Sequence, residues 1–349
     1  MTTRTVRIRL LIAGSILAGA AVYAQPAATP STRLTGDRTP LDGAPAFAVD
    51  RDGLVTVAAP APGTVVRYTL DGTDPARDSG AWLAPVAVPP GYRLKAQAFA
   101  ADGTPASGIA VHDGPLSGAS PRLPEAVVPI TQNRDWRLYD WAERHAAAAA
   151  LMKARRPEIV MLGDSITHFW GGEPTGGRTS GRMTGAAEWD RAFAGRRVVN
   201  LGYGWDRTEN VLWRLTHGEF DDVAPAVVVV LIGTNNVSRN TPEEIATGIE
   251  AICAEIHRRS PSTRILLLGL LPRGERPNPA REAVADVNRR IARLDGRLGV
   301  TYLDIGAVFL TANGTITREV MYDFLHPTAR GYQLWWEAMA PTLGRLSAR

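Results

Sequence analysis

The 349-residue chain has a single cysteine, Cys253, and two lysines, Lys95 and Lys153. One thiol excludes an intramolecular disulfide and any multi-cysteine metal site, and its place in an expected helix makes it a buried, inert group. With so few lysines the basic side chains are almost all arginine. No Lys/Arg run occurs in the body of the chain, so no nucleic-acid partner is indicated. G-x-S-x-G is missing, which disfavours the α/β-hydrolase nucleophile elbow. H-E-x-x-H, a phosphate-binding Walker loop and clustered metal ligands are also missing, so neither a metal nor another cofactor is expected. No paired carboxylates stand in a glycosidase setting, and no solenoid-type repeat is apparent.

What is present is ordinary for a globular chain: 45% hydrophobic residues and 21% charged ones, which argues against wholesale disorder. The N-terminus has the parts of a secretory signal. Arg4, Arg7 and Arg9 form a positive region, Leu10 to Tyr23 is uncharged and mostly apolar, and Val22-Tyr23-Ala24 offers small residues for cleavage after Ala24. Without those arginines the formal charge of +4 falls to about +1. The apolar run is short for a bilayer and no cysteine follows it, so no stable membrane anchor is expected after cleavage. The expected location is secreted or periplasmic.

Residues 25–45, rich in Pro, Ala, Thr and Gly, read as a linker. Residues 46–112 change to short alternating runs with turn signals. Val65 to Leu70 alternates before Asp71-Gly72, and Tyr92 to Ala100 alternates before Asp102-Gly103. Such spacing predicts a small antiparallel β-sandwich. The stretches Tyr68–Pro75 and Arg93–Ala98 resemble the small fibronectin-like C-terminal domain of chitobiases and β-hexosaminidases, which implies an accessory, non-catalytic module. Residues 113–129 (GPLSGASPRLPEAVVP and its flank) read as a second linker.

From residue 130 to 349 the pattern is βαβ. A helical composition over Asp135–Arg155 precedes apolar runs at Ile159–Leu162, Val198–Leu201, Val227–Ile232, Ile265–Leu271 and Val300–Ile305. Helical segments separate them, including Thr241–Arg259, where Thr241, Pro242 and Glu244 make a capping box. Near-continuous apolar strands between helices predict a parallel sheet covered on both faces. Four polar stretches follow strands or precede the last helix: Gly163-Asp164-Ser165, Asn200–Asp206, Gly233-Thr234-Asn235-Asn236 and Asp323-Phe324-Leu325-His326. Open α/β sheets build their sites at the carboxyl ends of strands. Acyl transfer by serine needs a base, a carboxylate to orient it and donors for the oxyanion. Asp323 and His326 are three apart, and Pro327 disfavours helical geometry at His326. Asn235 and the glycine-rich 202–205 backbone carry N–H donors.

These four blocks, in order and on the expected elements, resemble the SGNH/GDSL hydrolases. Asp206–Leu215 (DRTENVLWRL) is similar to the branch containing the platelet-activating-factor acetylhydrolase catalytic subunits. The resemblance implies a flavodoxin-like three-layer α/β/α fold with a five-stranded parallel sheet and metal-free serine esterase chemistry. It implies Ser165 as nucleophile, His326 as base, Asp323 as its orienter and Asn235 as an oxyanion donor. Where the family usually has its oxyanion glycine this chain has Trp205, whose backbone N–H can serve; Gly204 is the alternative if the register shifts, and Ser165 N–H is a further donor. The Trp205 side chain is expected to crowd a long acyl channel. His168 is expected at the surface or in contact with substrate, and Trp170, Trp189 and Trp205 are candidates for stacking on a sugar ring.

The reading is therefore an exported serine esterase removing a short acyl group, acetyl foremost, from a small ester or O-acylated carbohydrate. Alternatives are a lysophospholipase or acyl thioesterase on the same triad, or a carbohydrate-binding protein with a vestigial hydrolase domain. Activity is expected to fall in acid as the imidazole base protonates.

Overall fold

The computed structural model describes residues 43–115, 122–175 and 182–348. The expected signal peptide and nearly all of the 25–45 linker lie outside the described residues. Two units are present, 43–75 with 82–115, and 76–81 with 122–348.

In the first unit, Ala46–Val49, Leu54–Ala58 and Val86–Ala87 form one antiparallel sheet. Val65–Thr69, Arg93–Phe99 and Pro105–Asp113 pair antiparallel in another. Alternation sets the buried side: Val66, Tyr68, Leu94, Ala96 and Ala98 face inward. At the Asp71-Gly72 turn the Asp71 carboxylate accepts from the N–H and hydroxyl of Thr73, and Gly72 takes φ +81°, which glycine adopts without steric cost.

In the second unit the apolar runs become parallel strands: β1 (Ile159–Gly163), β2 (Val198–Gly202), β3 (Val227–Leu231), β4 (Arg264–Leu268) and β5 (Val300–Leu303). Their order is β5-β4-β3-β1-β2, with every pairing parallel. The helices are α1 (Trp141–Arg155), α2 (Ser165–His168), α3 (Ala186–Ala192), α4 (Thr208–Thr216), α5 (Pro242–Arg259), α6 (Pro279–Ile291) and α7 (Ala329–Ser347). On one face of the sheet Ile159, Met161, Val229 and Leu266 pack with Trp189 of α3 and with Tyr332, Trp335 and Met339 of α7. Their alternates Val160, Leu162, Val228 and Ile265 are fully buried and turn to the opposite face, the side of α4, α5 and α6, which pack on one another. This is the flavodoxin-like three-layer α/β/α arrangement. Its strand order reverses between β1 and β3, the crevice where such sheets bind ligands.

Three boundaries differ from expectation. Helix α1 starts at Trp141 rather than Asp135, because Asp140 caps it by accepting from Glu143 N–H at 2.9 Å, while residues 134–138 form turns. Residues 122–129 of the expected second linker belong to the second unit: Ala126 is buried, and its carbonyl accepts from the Thr208 hydroxyl at 2.8 Å. Residues 76–81, expected in the β-domain, group with the second unit.

The end of β2 lies hard against α2. A methyl group on Gly202 would stand 2.2 Å from the His168 backbone nitrogen, and backbone cannot yield as a flexible side chain would. Gly202→Ala is expected to destabilise the protein by about 1–3 kcal/mol or more in urea denaturation; unchanged stability would contradict the close approach.

Candidate active site

Strand β1 ends at Gly163, and Asp164 caps the short helix α2 by accepting from Ile166 N–H at 2.9 Å. Ser165 is thus delivered at the carboxyl edge of the sheet. Its Oγ stands 2.8 Å from Nε2 of His326, and Nδ1 of His326 stands 2.7 Å from Oδ2 of Asp323. With the ring proton on Nδ1, the imidazole donates to the carboxylate and accepts from the serine hydroxyl. The other Asp323 oxygen accepts from the backbone N–H groups of His326, at 2.7 Å, and Leu325, at 3.1 Å. The turn that carries the histidine is therefore wrapped around the carboxylate that orients it. Phe324 completes the turn at φ +63°, and its ring lies 4.6 Å from the Arg318 guanidinium. Helix α7 begins only after Thr328, which caps Gly331 N–H, so His326 stays on the loop.

Burial opposes the Asp323 charge, but hydrogen bonds from the ring and N–H of His326 hold its carboxyl down at about 2. Asp164 behaves the other way. Burial pushes it up to about 7, and the Ile166 N–H offsets only part of that cost. Asp323 is ionised throughout the working range of an esterase, whereas Asp164 changes charge within it.

The oxyanion side is the turn after β2. Gly204 N–H donates to Nδ1 of His168 at 3.2 Å. The Gly204 carbonyl accepts from Gln132 Nε2 at 2.9 Å and Tyr139 Oη at 2.8 Å. The Trp205 carbonyl accepts from Arg134 at 3.0 Å, and that of Asp206 from Asn235 Nδ2 at 2.9 Å. Trp205 sits at φ +64° with its indole half exposed, a backbone state that costs a non-glycine residue about 1–2 kcal/mol. The N–H groups of Trp205 and Ser165 donate to no acceptor among the described residues. Asn235 spends one amide hydrogen on Asp206 and keeps a second. The edge thus holds a nucleophile–base–carboxylate chain beside N–H donors with spare capacity, the parts that acyl transfer requires.

The structure brings Ser165, Asp323 and His326 into direct hydrogen bonding and joins Asn235 to the Trp205 turn. It corrects four other expectations. Gly204 is not a spare donor, because its N–H is committed to His168. His168 is fully buried and neither at the surface nor open to substrate; burial drives its imidazole well below the usual histidine range, helped by Arg144 and Arg214. Trp170 packs in the core against Tyr332 and Trp335, with ring centroids 5.3 and 4.7 Å away. Trp189 joins the same cluster through Trp170 and Phe193. Neither tryptophan is available to a sugar.

Sequence reasoning missed the residues that hold the turn in place. Asp206 accepts from Gln132, Trp141 and Arg214, and Arg214 pairs at 2.5 Å with Glu219. All three members of this ion cluster are buried. A signal existed: Arg214 stands among Leu212, Trp213 and Leu215, an apolar setting in which a charge must be paired. Asn200, within the expected strand Val198–Leu201 and first in the second polar stretch, had no role assigned, yet its side chain donates to the carbonyls of Thr167 and Gly171 and accepts from Gly202 N–H, tying β2 to α2.

Comparison with known proteins finds the following similarities. Residues 161–334 match the model of the GDSL-like lipase/acylhydrolase family, and residues 55–112 match that of the Fn3-associated family. The chain is 39% identical over 193 residues to platelet-activating factor acetylhydrolase IB subunit alpha2 of Rattus norvegicus, covering 55% of this chain and 78% of the relative. It is 37% identical over 210 residues to subunit alpha1 of the Homo sapiens enzyme, covering 60% and 85%. Among solved structures, a GDSL-like lipase of Bacteroides thetaiotaomicron is similar with a TM-score of 0.45 at 18% identity, over 58% of this chain and 97% of that one.

The Asp164 carboxyl supplies a test with a definite sign. Its folded pKa of about 7 lies above the unfolded value near 3.9. Stability is therefore undiminished below about pH 4 and is lost as pH rises through about 7. Asp164→Asn removes that loss, so its melting temperature relative to wild type is expected to be higher at pH 8 than at pH 4. An offset equal at both pH values would contradict the buried, half-compensated carboxyl.

Proposed function

Since the chain belongs to the GDSL-like lipase/acylhydrolase family and is a carboxylic ester hydrolase, we propose that Ser165 is its nucleophile and that it removes short acyl groups, acetyl foremost, from an O-acylated carbohydrate outside the cytoplasm. The observation that carries this reading is the unbroken chain of hydrogen bonds from Asp323 through His326 to Ser165. As Ser165 Oγ attacks the ester carbonyl, Nε2 of His326 takes its proton and Asp323 stabilises the imidazolium. The carbonyl oxygen, now an anion, is met by the N–H groups of Trp205 and Ser165 and by the second Nδ2 hydrogen of Asn235. Collapse of the tetrahedral intermediate expels the alcohol, which receives the proton from His326. Water, activated by the same histidine, then releases the acid from the acyl-serine.

Support for a short acyl group comes from the relatives, whose name specifies an acetyl hydrolase. Support for an exported carbohydrate substrate comes from the N-terminal signal pattern and the accessory β-unit. N-terminal sequencing of the chain recovered from periplasm or medium checks the first; a mature N-terminus at Gln25 is expected, and an intact Met1 would contradict export by cleavage.

A fluorophosphonate probe is expected to label wild type and to leave Ser165→Ala unlabelled, with hydrolysis reduced by about 10⁴-fold or more. Retained hydrolysis in the variant would mean that the nucleophile is another residue. Across p-nitrophenyl esters from acetate to palmitate, kcat/KM is expected to peak at acetate. A maximum at the longest chains would replace this reading with a lipase.

A further inference from the structure

The carboxylates around the Trp205 turn and Ser165 are Asp135, Asp164, Asp206 and Asp323. Asp164 accepts from Ile166 N–H, Asp206 from Gln132, Trp141 and Arg214, and Asp323 from His326. Asp135 differs. It is half-buried, and among the described residues no hydrogen bond acts on its carboxylate; burial is the largest influence on it, followed by the charges of Arg182 and His326. It stands close to the turn, since a methyl group on Gly204 would lie 2.5 Å from Oδ2. An acceptor to which no described residue donates therefore sits against the Gly204 α-carbon, one residue before Trp205, whose indole is half exposed. Neither group has a task in the proton relay.

An anion kept half out of water without a donor is costly, and a ligand that supplies one removes that cost. The position selects the side of the ester. The leaving oxygen has to meet Nε2 of His326, which hands it a proton, and Asp135 lies within electrostatic reach of that ring. The charges select the ligand. Arg182 acts on Asp135 with the same sign as a cationic ligand would carry, which disfavours an ammonium group, and Asp135 itself repels an anionic one. A neutral hydroxyl suits both: it donates to the carboxylate in a charge-assisted bond, and its oxygen can face the guanidinium.

We propose that Asp135 and the Trp205 indole form the subsite for the leaving alcohol, and that this alcohol is a sugar ring or polyol whose hydroxyl next to the ester donates to Asp135 while its C–H face packs on the indole. This rests on the esterase reading above and makes Asp135 and Trp205 determinants of alcohol specificity. Of the two roles the sequence offered the indole, crowding an acyl channel and stacking on a sugar ring, it selects the second.

The test is the ratio of kcat/KM for methyl 2-O-acetyl-β-D-xylopyranoside, which has free neighbouring hydroxyls, to that for p-nitrophenyl acetate, which has none. Asp135→Asn is expected to lower this ratio about tenfold or more, and the fully acetylated xyloside is expected to lose the discrimination. Trp205→Gly, whose backbone suits the left-handed turn, gives a second reading: the ratio falls while acetate remains the preferred acyl group. An unchanged ratio in a labelled, folded Asp135→Asn enzyme would overturn the subsite. So would new activity of Trp205→Gly on p-nitrophenyl hexanoate, which would put the indole on the acyl side. A wild-type preference for acetylcholine that Asp135→Asn abolishes would overturn the hydroxyl assignment in favour of a cation. Failure of wild type to hydrolyse p-nitrophenyl acetate would instead overturn the esterase reading itself.

Discussion

Successive carbonyls of Gly204, Trp205 and Asp206 each accept a hydrogen bond from a side chain elsewhere in the sequence: Gln132 and Tyr139 on the first, Arg134 on the second, Asn235 on the third. His168 takes the Gly204 N–H. With every neighbouring polar group committed, the turn has one backbone arrangement, and in it the Trp205 N–H is left over. Serine hydrolysis draws most of its rate from donors already aimed at the developing oxyanion. A pinned turn meets that requirement better than a mobile glycine loop, and pinning explains how a tryptophan is held in a left-handed conformation that its side chain disfavours.

What pins the turn from below is a buried ion cluster. Arg214 lies between Asp206 and Glu219, all fully out of water, with its guanidinium 3.8 Å from the centre of the Tyr203 ring. Burial works against the Arg214 charge, but the two carboxylates hold the guanidinium protonated, and Glu219 is kept ionised in turn. Such clusters add little net stability, since desolvation consumes most of the attraction; removing one partner, however, costs about 3–5 kcal/mol. Their contribution here is positional: Asp206 cannot relax without stranding Arg214. The N-terminal segment 131–139 completes the clamp. It thereby links the oxyanion turn to chain that precedes the first strand, a region that strand-end motifs alone would leave out of the site.

Much of this was legible in the residues, for a physical reason. Strands buried on both faces read as unbroken apolar runs, so the sheet could be counted, and chemistry placed at strand ends sits beside glycines that mark the turns. Hence Ser165, Asn235, Asp323 and His326 stood out. What could not be read was burial outside the strands. Trp189 looked like a loop residue because the helix over Ala186–Ala192 is short and carries no cap signal, and its side-chain cap is indeed absent; Trp170 does lie in a turn, after α2, and only tertiary packing buries it. His168 looked like a polar residue near the site, although its fixed role as acceptor for Gly204 depends on a contact across 36 positions. The clamp from Gln132, Arg134 and Tyr139 spans some 70 positions, and no local pattern encodes it. Helix α1 shows the limit of composition: Asp135 and Asp140 both fit a first turn, and tertiary contacts of the 131–139 segment decide between them.

The central claim is that the Trp205 turn is fixed in advance with its N–H facing the oxyanion. A crystal structure of the enzyme with a fluorophosphonate adduct on Ser165 tests it most directly. The account predicts the phosphoryl oxygen about 2.7–3.1 Å from the nitrogens of Trp205 and Ser165 and from Nδ2 of Asn235, with Gly204 N–H still on His168. A phosphoryl oxygen turned away from Trp205, or a Gly204 N–H swung from His168 onto the adduct, would contradict it.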